Sequence, residues 1–254
     1  MKKIILAVLL LTLGLNSIAQ NSFRKLTRSE KESIKSYRKQ ISKKDISYHI
    51  LIITDLGDMV VKLYNETPLH RDNFVAKVKS GFYDSLLFHR VINNFMIQGG
   101  DPTTKYAATG QPVGSGSAPG DRIPAEFRTD KGIYHKRGAL AAARDNNPEK
   151  ASSNCQFYIV QRPAWRDSQL DSAIIQRRLT PEFENLTLNE EQRKIYTTVG
   201  GTPHLDGGYT VYGELEIGFD VLDKIAATKT NKSRPETDIR MRMFVLHEPK
   251  KLKR

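Results

Sequence analysis

The chain has 254 residues, 39% hydrophobic and 27% charged, with 40 basic against 28 acidic side chains and a formal charge of +12. That composition excludes collagenous, coiled-coil and disordered chains, and the length suits one large domain with additions or two small ones. The single cysteine, Cys155, excludes an intramolecular disulfide, a cysteine-based zinc site and a CxxC redox pair. At the start, Lys2 and Lys3 precede an apolar run from Ile4 to Leu15, and Ser17-Ile18-Ala19 places small residues where a signal peptidase reads. Residues 1–19 therefore read as a secretory signal, with an uncleaved anchor as the alternative. No later run of 18 apolar residues exists, so no transmembrane span is expected after cleavage. Removal of nineteen residues, two of them lysine, leaves 235 residues and a charge of +10.

Residues 20–45 form a basic arm in which Phe23, Leu26, Ile34, Tyr37 and Ile41 recur at helical spacing, predicting a helix over 23–43 with one apolar stripe. Residues 247–254 form a second basic end. The cations lie on no recognisable nucleic-acid motif, so no nucleic-acid partner is expected; solvated ends attracted to an anionic surface are the plainer meaning. From Ile46 to Tyr64 two strands flank the turn Asp55-Leu56-Gly57-Asp58, which predicts a hairpin. Thr67 as N-cap, Pro68 at the first position and Gly81 as stop predict a helix over 68–79. Short strands are expected at 86–91, 95–98, 139–142, 156–160 and 210–213. Many short strands with one early helix point to a closed barrel with helical plugs rather than a parallel sheet.

Phe88-His89-Arg90-Val91-Ile92-Asn93-Asn94-Phe95-Met96-Ile97-Gln98-Gly99-Gly100-Asp101 is the most specific run in the chain. It resembles the signature of the cyclophilins, the peptidyl-prolyl cis-trans isomerases. Further stretches match in order: Gly138 to Arg144, Cys155 to Ile159, His204 to Gly213 and Phe219 to Ile225. The resemblance covers 46–160 and 203–246 and implies an isomerase domain over 46–246. Its implied fold is mainly β, a closed eight-stranded antiparallel barrel capped by two helices, here with a helical insertion at 161–203 and the N-terminal helix.

Rotation about an X-Pro bond breaks no bond, so it requires no nucleophile, metal or cofactor. It requires a grip on the proline ring, an anchor for the flanking peptide and preference for the twisted amide. By resemblance, Arg90 is the catalytic arginine, with Gln98 beside it; a guanidinium stays charged and presents several donors in a rigid plane. Phe95, Met96, Tyr158 and Leu205 match positions lining the proline pocket, though singly each would more often be core. Gln98 and Gln156 match substrate-backbone positions, and Ala143, Arg144 and Asp145 match the exposed rim, the last two as backbone contacts only. His204 stands where cyclosporin-sensitive relatives carry tryptophan, which implies weak cyclosporin binding. Tyr158 replaces a frequent Phe, and Tyr209 replaces a histidine, so no histidine acid–base role is implied.

The 43-residue insertion is predicted to hold a helix with Leu170, Ile174 and Ile175 ending near Pro181, and a second begun by a Thr187–Glu190 capping box and carrying Leu188, Ile195 and Tyr196. It either narrows the peptide-binding surface or is a surface excursion. The Gly110 to Gly120 stretch lacks a Gly-Lys-Ser/Thr ending and reads as a flexible loop. The six histidines show no ligand spacing; His89 reads as structural, and Cys155 as a buried strand residue. The expected function is therefore isomerisation of X-Pro bonds in unfolded, exported client polypeptides, in the periplasm or secreted, by a monomer. The alternative is a non-catalytic proline-peptide module or holding chaperone.

Overall fold

The structure, a computed structural model, describes residues 25–249. The signal segment, Phe23 and the last five residues, four of them basic, lie outside the described residues. Helix α1 (Arg28–Gln40) is shorter than the periodicity predicts, because Thr27 and Glu30 form a capping box that fixes its start: Glu30 N–H donates to Thr27 Oγ1 at 3.2 Å, and Thr27 N–H to Glu30 Oε2 at 2.8 Å.

The hairpin forms as expected from β1 (His49–Thr54) and β2 (Gly57–Leu63), with Thr54 opposite Gly57. Then come α2 (Pro68–Ser80), β3 (Phe88–Ile92), β4 (Met96–Gly99), β5 (Ala139–Ala142) and β6 (Phe157–Val160). The insertion supplies α3 (Asp167–Arg178) and α4 (Glu190–Thr198). Strand β7 (Val211–Ile217), helix α5 (Phe219–Ala226), the two-stranded ribbon β8 (Thr230–Asn231) with β9 (Arg234–Pro235), and β10 (Met241–His247) complete the described chain. None of these helices is long and apolar enough to cross a membrane.

Eight strands form one antiparallel sheet in the order β10-β1-β2-β7-β5-β6-β4-β3. The expectation of a closed barrel is corrected here: the ladder is open between β3 and β10. Only the isolated bridge Leu87–Arg240 joins those edges, supported by backbone bonds such as Met241 N–H to Leu86 O at 2.9 Å. On its other side β3 pairs with β4 through a register shift between Phe88 and Arg90.

Side chains alternate across the curved sheet. Ile50, Ile52, Met59, Val61, Ile97, Leu140, Phe157 and Ile159 turn inward and pack with Phe74, Val75 and Val78 of α2 and Val221, Leu222 and Ile225 of α5. Their strand neighbours turn outward and make two separate apolar faces. Leu51, Val60 and Leu246 lie under Ile34 and Tyr37 of α1 and its C-cap Ile41; Met96, Ala141, Tyr158 and Val211 form the other face.

Two capping expectations change. Thr67 makes no side-chain cap; the first turn of α2 is held by Glu126, whose carboxylate accepts from Leu69 N–H at 3.1 Å and His70 N–H at 3.0 Å. The box starting α4 is Asn189–Gln192, two residues later than Thr187–Glu190. In α3, Leu170 and Ile174 are buried while Ile175 is exposed. Cys155 is buried but precedes β6 rather than lying in it.

Candidate functional site

Strand registry assembles the site. Arg90 on β3 pairs with Gln98 on β4, Gln98 with Tyr158 on β6, Tyr158 with Ala141 on β5, and Ala141 with Val211 on β7. One row of residues therefore crosses five strands on the sheet's outer surface, carrying a cation and an amide at one end and apolar side chains at the other.

At the polar end, Arg90 Nη1 donates to Gln98 Oε1 at 3.1 Å, and Gln98 Nε2 donates to Gln156 Oε1 at 2.9 Å. Gln156 Nε2 then donates to Gly114 O at 3.0 Å and Gly116 O at 2.8 Å. The glycine stretch read as flexible is thus pinned. Asp101 holds it from below by accepting from Gly114 N–H, and a Cβ on Gly116 would come within 2.0 Å of Asp101 Oδ1, so only glycine fits. Burial alone would raise the Asp101 carboxyl pKa, but hydrogen bonds from the Thr103 hydroxyl and the Thr103, Gly114 and Gly116 amides outweigh it and hold it below its ordinary value. Arg90 is exposed, yet partial desolvation of its guanidinium lowers its pKa from the ordinary value. It remains charged at any physiological pH.

At the apolar end, buried Met96, Tyr158, Leu205 and Val211 form a cup rimmed by Phe95, Ala143 and Tyr209. The Arg90 guanidinium carbon stands 6.0 Å from the Phe95 ring centre, and its Nη1 lies 3.8 Å from Met96 Sδ. Tyr209 meets Tyr158 edge-on at 6.0 Å. Arg144 contributes its side chain as well as its place on the rim: the guanidinium lies 4.6 Å over the Tyr209 ring and donates to Gly208 O at 2.8 Å. Ala143's backbone is committed to the fold, its N–H donating to Gln156 O and its carbonyl accepting from Ser153 N–H. Pairing with an extended peptide at that residue, expected from the sequence, is therefore not available to its N–H.

His204 lies behind the cup. Its ring stacks on Phe95 at 6.0 Å and receives the edge of Phe183, an insertion residue, at 6.3 Å. Burial, reinforced by nearby Arg177 and His135, lowers its pKa to about 4. His89 is more deeply buried than the half-buried His204, and desolvation lowers it to about 4.

Two grooves leave the cup. One, of about 620 Å³, runs past Gln98, Gln156, Arg122 and Arg144; the other, of about 720 Å³, runs between the insertion and the site loop past Phe183, Gln192, His204 and Tyr209. The twelve residues singled out from the sequence, with Asp145 lining the first groove, thus fall in one neighbourhood. His135 and Asp206, which stand immediately behind Tyr158, were missed as functional candidates. Asp206 sits inside the quoted stretch His204 to Gly213, so only its partners were hidden.

A family model described as cyclophilin type peptidyl-prolyl cis-trans isomerase/CLD matches residues 49–245. A Staphylococcus saprophyticus protein assigned as a peptidyl-prolyl cis-trans isomerase is 37% identical over 75% of this chain and 87% of its own length. A longer Streptococcus pyogenes protein, assigned as a bifunctional phosphatase/peptidyl-prolyl cis-trans isomerase, is 36% identical over 75% of this chain, and the match spans only 37% of that protein. A Cryptosporidium parvum cyclophilin-type isomerase superposes with a TM-score of 0.57 at 24% identity, covering 80% of this chain and 99% of that one. The same protein solved in the presence of the dipeptide Ala-Pro superposes with a TM-score of 0.55 at 25% identity over 78% of this chain and 98% of that one.

Proposed function

Because the chain belongs to the cyclophilin-type peptidyl-prolyl cis-trans isomerases, we propose that Arg90 and Gln98 carry its isomerase chemistry, and that its substrates are X-Pro bonds in unfolded, exported polypeptides whose folding it assists. The observation that carries the site assignment is the guanidinium–amide chain, Arg90 Nη1 to Gln98 Oε1 at 3.1 Å, standing at the edge of an apolar cup.

A planar X-Pro amide resists rotation by a barrier of about 18–20 kcal/mol, and uncatalysed exchange takes roughly tens to hundreds of seconds. As the amide twists, its nitrogen lone pair leaves conjugation and becomes an acceptor. A donor fixed beforehand at that place stabilises the twisted form more than either planar form. Met96, Tyr158 and Leu205 receive the pyrrolidine ring, Phe95 walls it towards Arg90, and Gln98 with Gln156 anchors the neighbouring peptide group. The Ala-Pro dipeptide present with the Cryptosporidium parvum relative supports a proline residue as the ligand.

Export rests on residues 1–19, whose basic start, apolar run and small residues suit a secretory signal. Sequencing the N-terminus of protein recovered from the cell envelope or medium checks this: a start at Gln20 is expected, and an uncleaved Met1 would remove the support. The packing of His204 between Phe95 and Phe183 supports weak cyclosporin binding, and tight inhibition would count against it.

For the chemistry, exchange spectroscopy on a short proline peptide should show accelerated interconversion with the wild type. Arg90→Ala should be slower by about a hundredfold, the usual loss for one preorganised donor, with peptide binding largely kept. Equal rates for the two proteins would remove Arg90 from the mechanism, and a wild type without turnover but still able to suppress aggregation would favour the holding role.

A further inference from the structure

The insertion touches the site loop through buried polar atoms. Tyr196 on α4 is fully buried, and its hydroxyl donates to Asp206 Oδ2. Gln192, one turn earlier, donates to the same oxygen from Nε2 at 3.0 Å. The other oxygen, Oδ1, accepts from His135 N–H at 2.8 Å and lies 2.9 Å from His135 Nδ1. On the far side of the imidazole, Nε2 lies 3.0 Å from the Tyr158 hydroxyl, and the two rings stack at 6.1 Å with 14° between their planes. The Asp206 and His135 side chains are 6% and 1% exposed, so water competes little for the bonds between them.

The direction of each bond follows from the chemistry of the carboxylate. An ionised Asp206 has no proton to give, so the His135 Nδ1 carries the proton, and in the neutral imidazole Nε2 is then bare. A bare Nε2 accepts, and Tyr158 therefore donates. The end of the insertion is also stitched to the same segment, since Thr202 N–H donates to His135 O at 2.9 Å, and a Cβ on Gly201 would come within 2.2 Å of that carbonyl.

We propose that the insertion is a positioning device for the proline cup, acting through Tyr196 and Gln192, then Asp206, then His135, onto the Tyr158 ring. Asp206 and His135 are positioning residues: they reach substrate only through Tyr158. The relay gives the added hydroxyl of Tyr158 a partner and fixes the tilt of that wall, so the shape of the cup depends on a segment outside the barrel strands. This rests on Tyr158 lining the substrate's proline site, and the experiment separates the two claims.

The ring nitrogens of His135 are read by ¹⁵N NMR in the purified full chain without substrate, and turnover of an Xaa-Pro peptide is measured on Tyr196→Phe, Tyr158→Phe and the double variant. A proton on Nδ1 and a bare, hydrogen-bonded Nε2 whose signal moves in Tyr158→Phe are expected. Tyr196→Phe should lower kcat/KM by about threefold to tenfold, as for one ordinary hydrogen bond lost, mainly through KM. The double variant should fall no further than the worse single variant. Asp206→Asn provides a second break in the relay, expected to disturb the His135 signals and raise KM in the same way. A proton on Nε2, unchanged KM in both Tyr196→Phe and Asp206→Asn, or fully multiplicative losses in the double variant would overturn the relay. A wild type with the expected ¹⁵N signature and no turnover would instead overturn the isomerase site while leaving the hydrogen-bond chain in place.

Discussion

The outer surface of the sheet carries two apolar faces made by the same alternation, and only one of them is roofed. On β1, β2 and β10 the outward residues Leu51, Val60 and Leu246 are covered by Ile34 and Tyr37 of α1 and by its C-cap Ile41. The roof is fastened by the buried Glu30 paired with Arg242 and by Arg38 Nε donating to Leu246 O at 3.0 Å. On β4, β6, β5 and β7 the outward residues Met96, Tyr158, Ala141 and Val211 have no helix of the arm or insertion packed on them among the described residues, and the insertion borders the neighbouring groove. Each fully buried aliphatic or aromatic side chain contributes about 1.5–3 kcal/mol. On the roofed face that contribution goes wholly into the fold. On the open face part of the apolar surface is left for a proline ring, and polar bonds supply the rigidity that a helix would have supplied.

Truncation should therefore have opposite consequences on the two faces. Leu51→Ala empties a site with 0% exposure and should cost about 2–5 kcal/mol, read from the urea midpoint at unchanged m, while the folded protein keeps its kcat/KM. Leu205→Ala lies in the short turn Pro203–Leu205 at the cup. It should lower kcat/KM about tenfold, the equivalent of a lost apolar contact of that size, with the smaller loss of stability. Equal effects of the two variants on both readouts would erase the distinction between roof and cup.

Acid should act on the desolvated histidines. Desolvation lowers His70, His89 and His204, the last two to about 4. An unfolded histidine takes a proton near pH about 6.5, so between that value and about 4 the unfolded chain binds more protons than the folded one. Stability should accordingly fall as pH drops through this window. Phe183→Ala removes the aromatic edge that shields His204. By ring-proton NMR, the His204 midpoint should then move upward towards the ordinary histidine value and its share of the acid loss should shrink. A midpoint already near about 6.5 in the wild type would contradict the shielding.

How much of this was legible in the sequence depended on how far apart the partners lie. The run from Phe88 to Asp101 delivers Arg90, Phe95, Met96 and Gln98 on two adjacent strands, so a local pattern sufficed for the polar end of the site. Strand β10 was missed because Met241-Arg242-Met243-Phe244 has weak strand character and pairs with β1, almost 200 residues away, without a hairpin turn to announce it. The open edge was hidden for the same reason. His135, Tyr196 and Asp206 come from three segments, and no spacing rule joins them before the chain is folded. In the insertion the helices were legible from Leu170, Ile174 and Tyr196, but the start of α4 was misplaced because both Thr187 with Glu190 and Asn189 with Gln192 satisfy the capping pattern.

The smallest expected effect separates a local helix cap from a distant one. Thr27 on the roofed side accepts Glu30 N–H and completes a box, so Thr27→Ala should cost about 0.5–2 kcal/mol. Thr67 looks equivalent in sequence, but Glu126 has taken over its role: its carboxylate accepts from Leu69 N–H, His70 N–H and His70 Nδ1, the last at 2.7 Å. The Thr67 hydroxyl is left buried without a partner. Burying such a group carries a desolvation cost that a methyl group of the same shape does not. Thr67→Val should therefore change stability by no more than about 0.5 kcal/mol, and towards greater stability. A loss as large as that of Thr27→Ala in the same urea titration would mean that Thr67, and not Glu126, holds the start of α2.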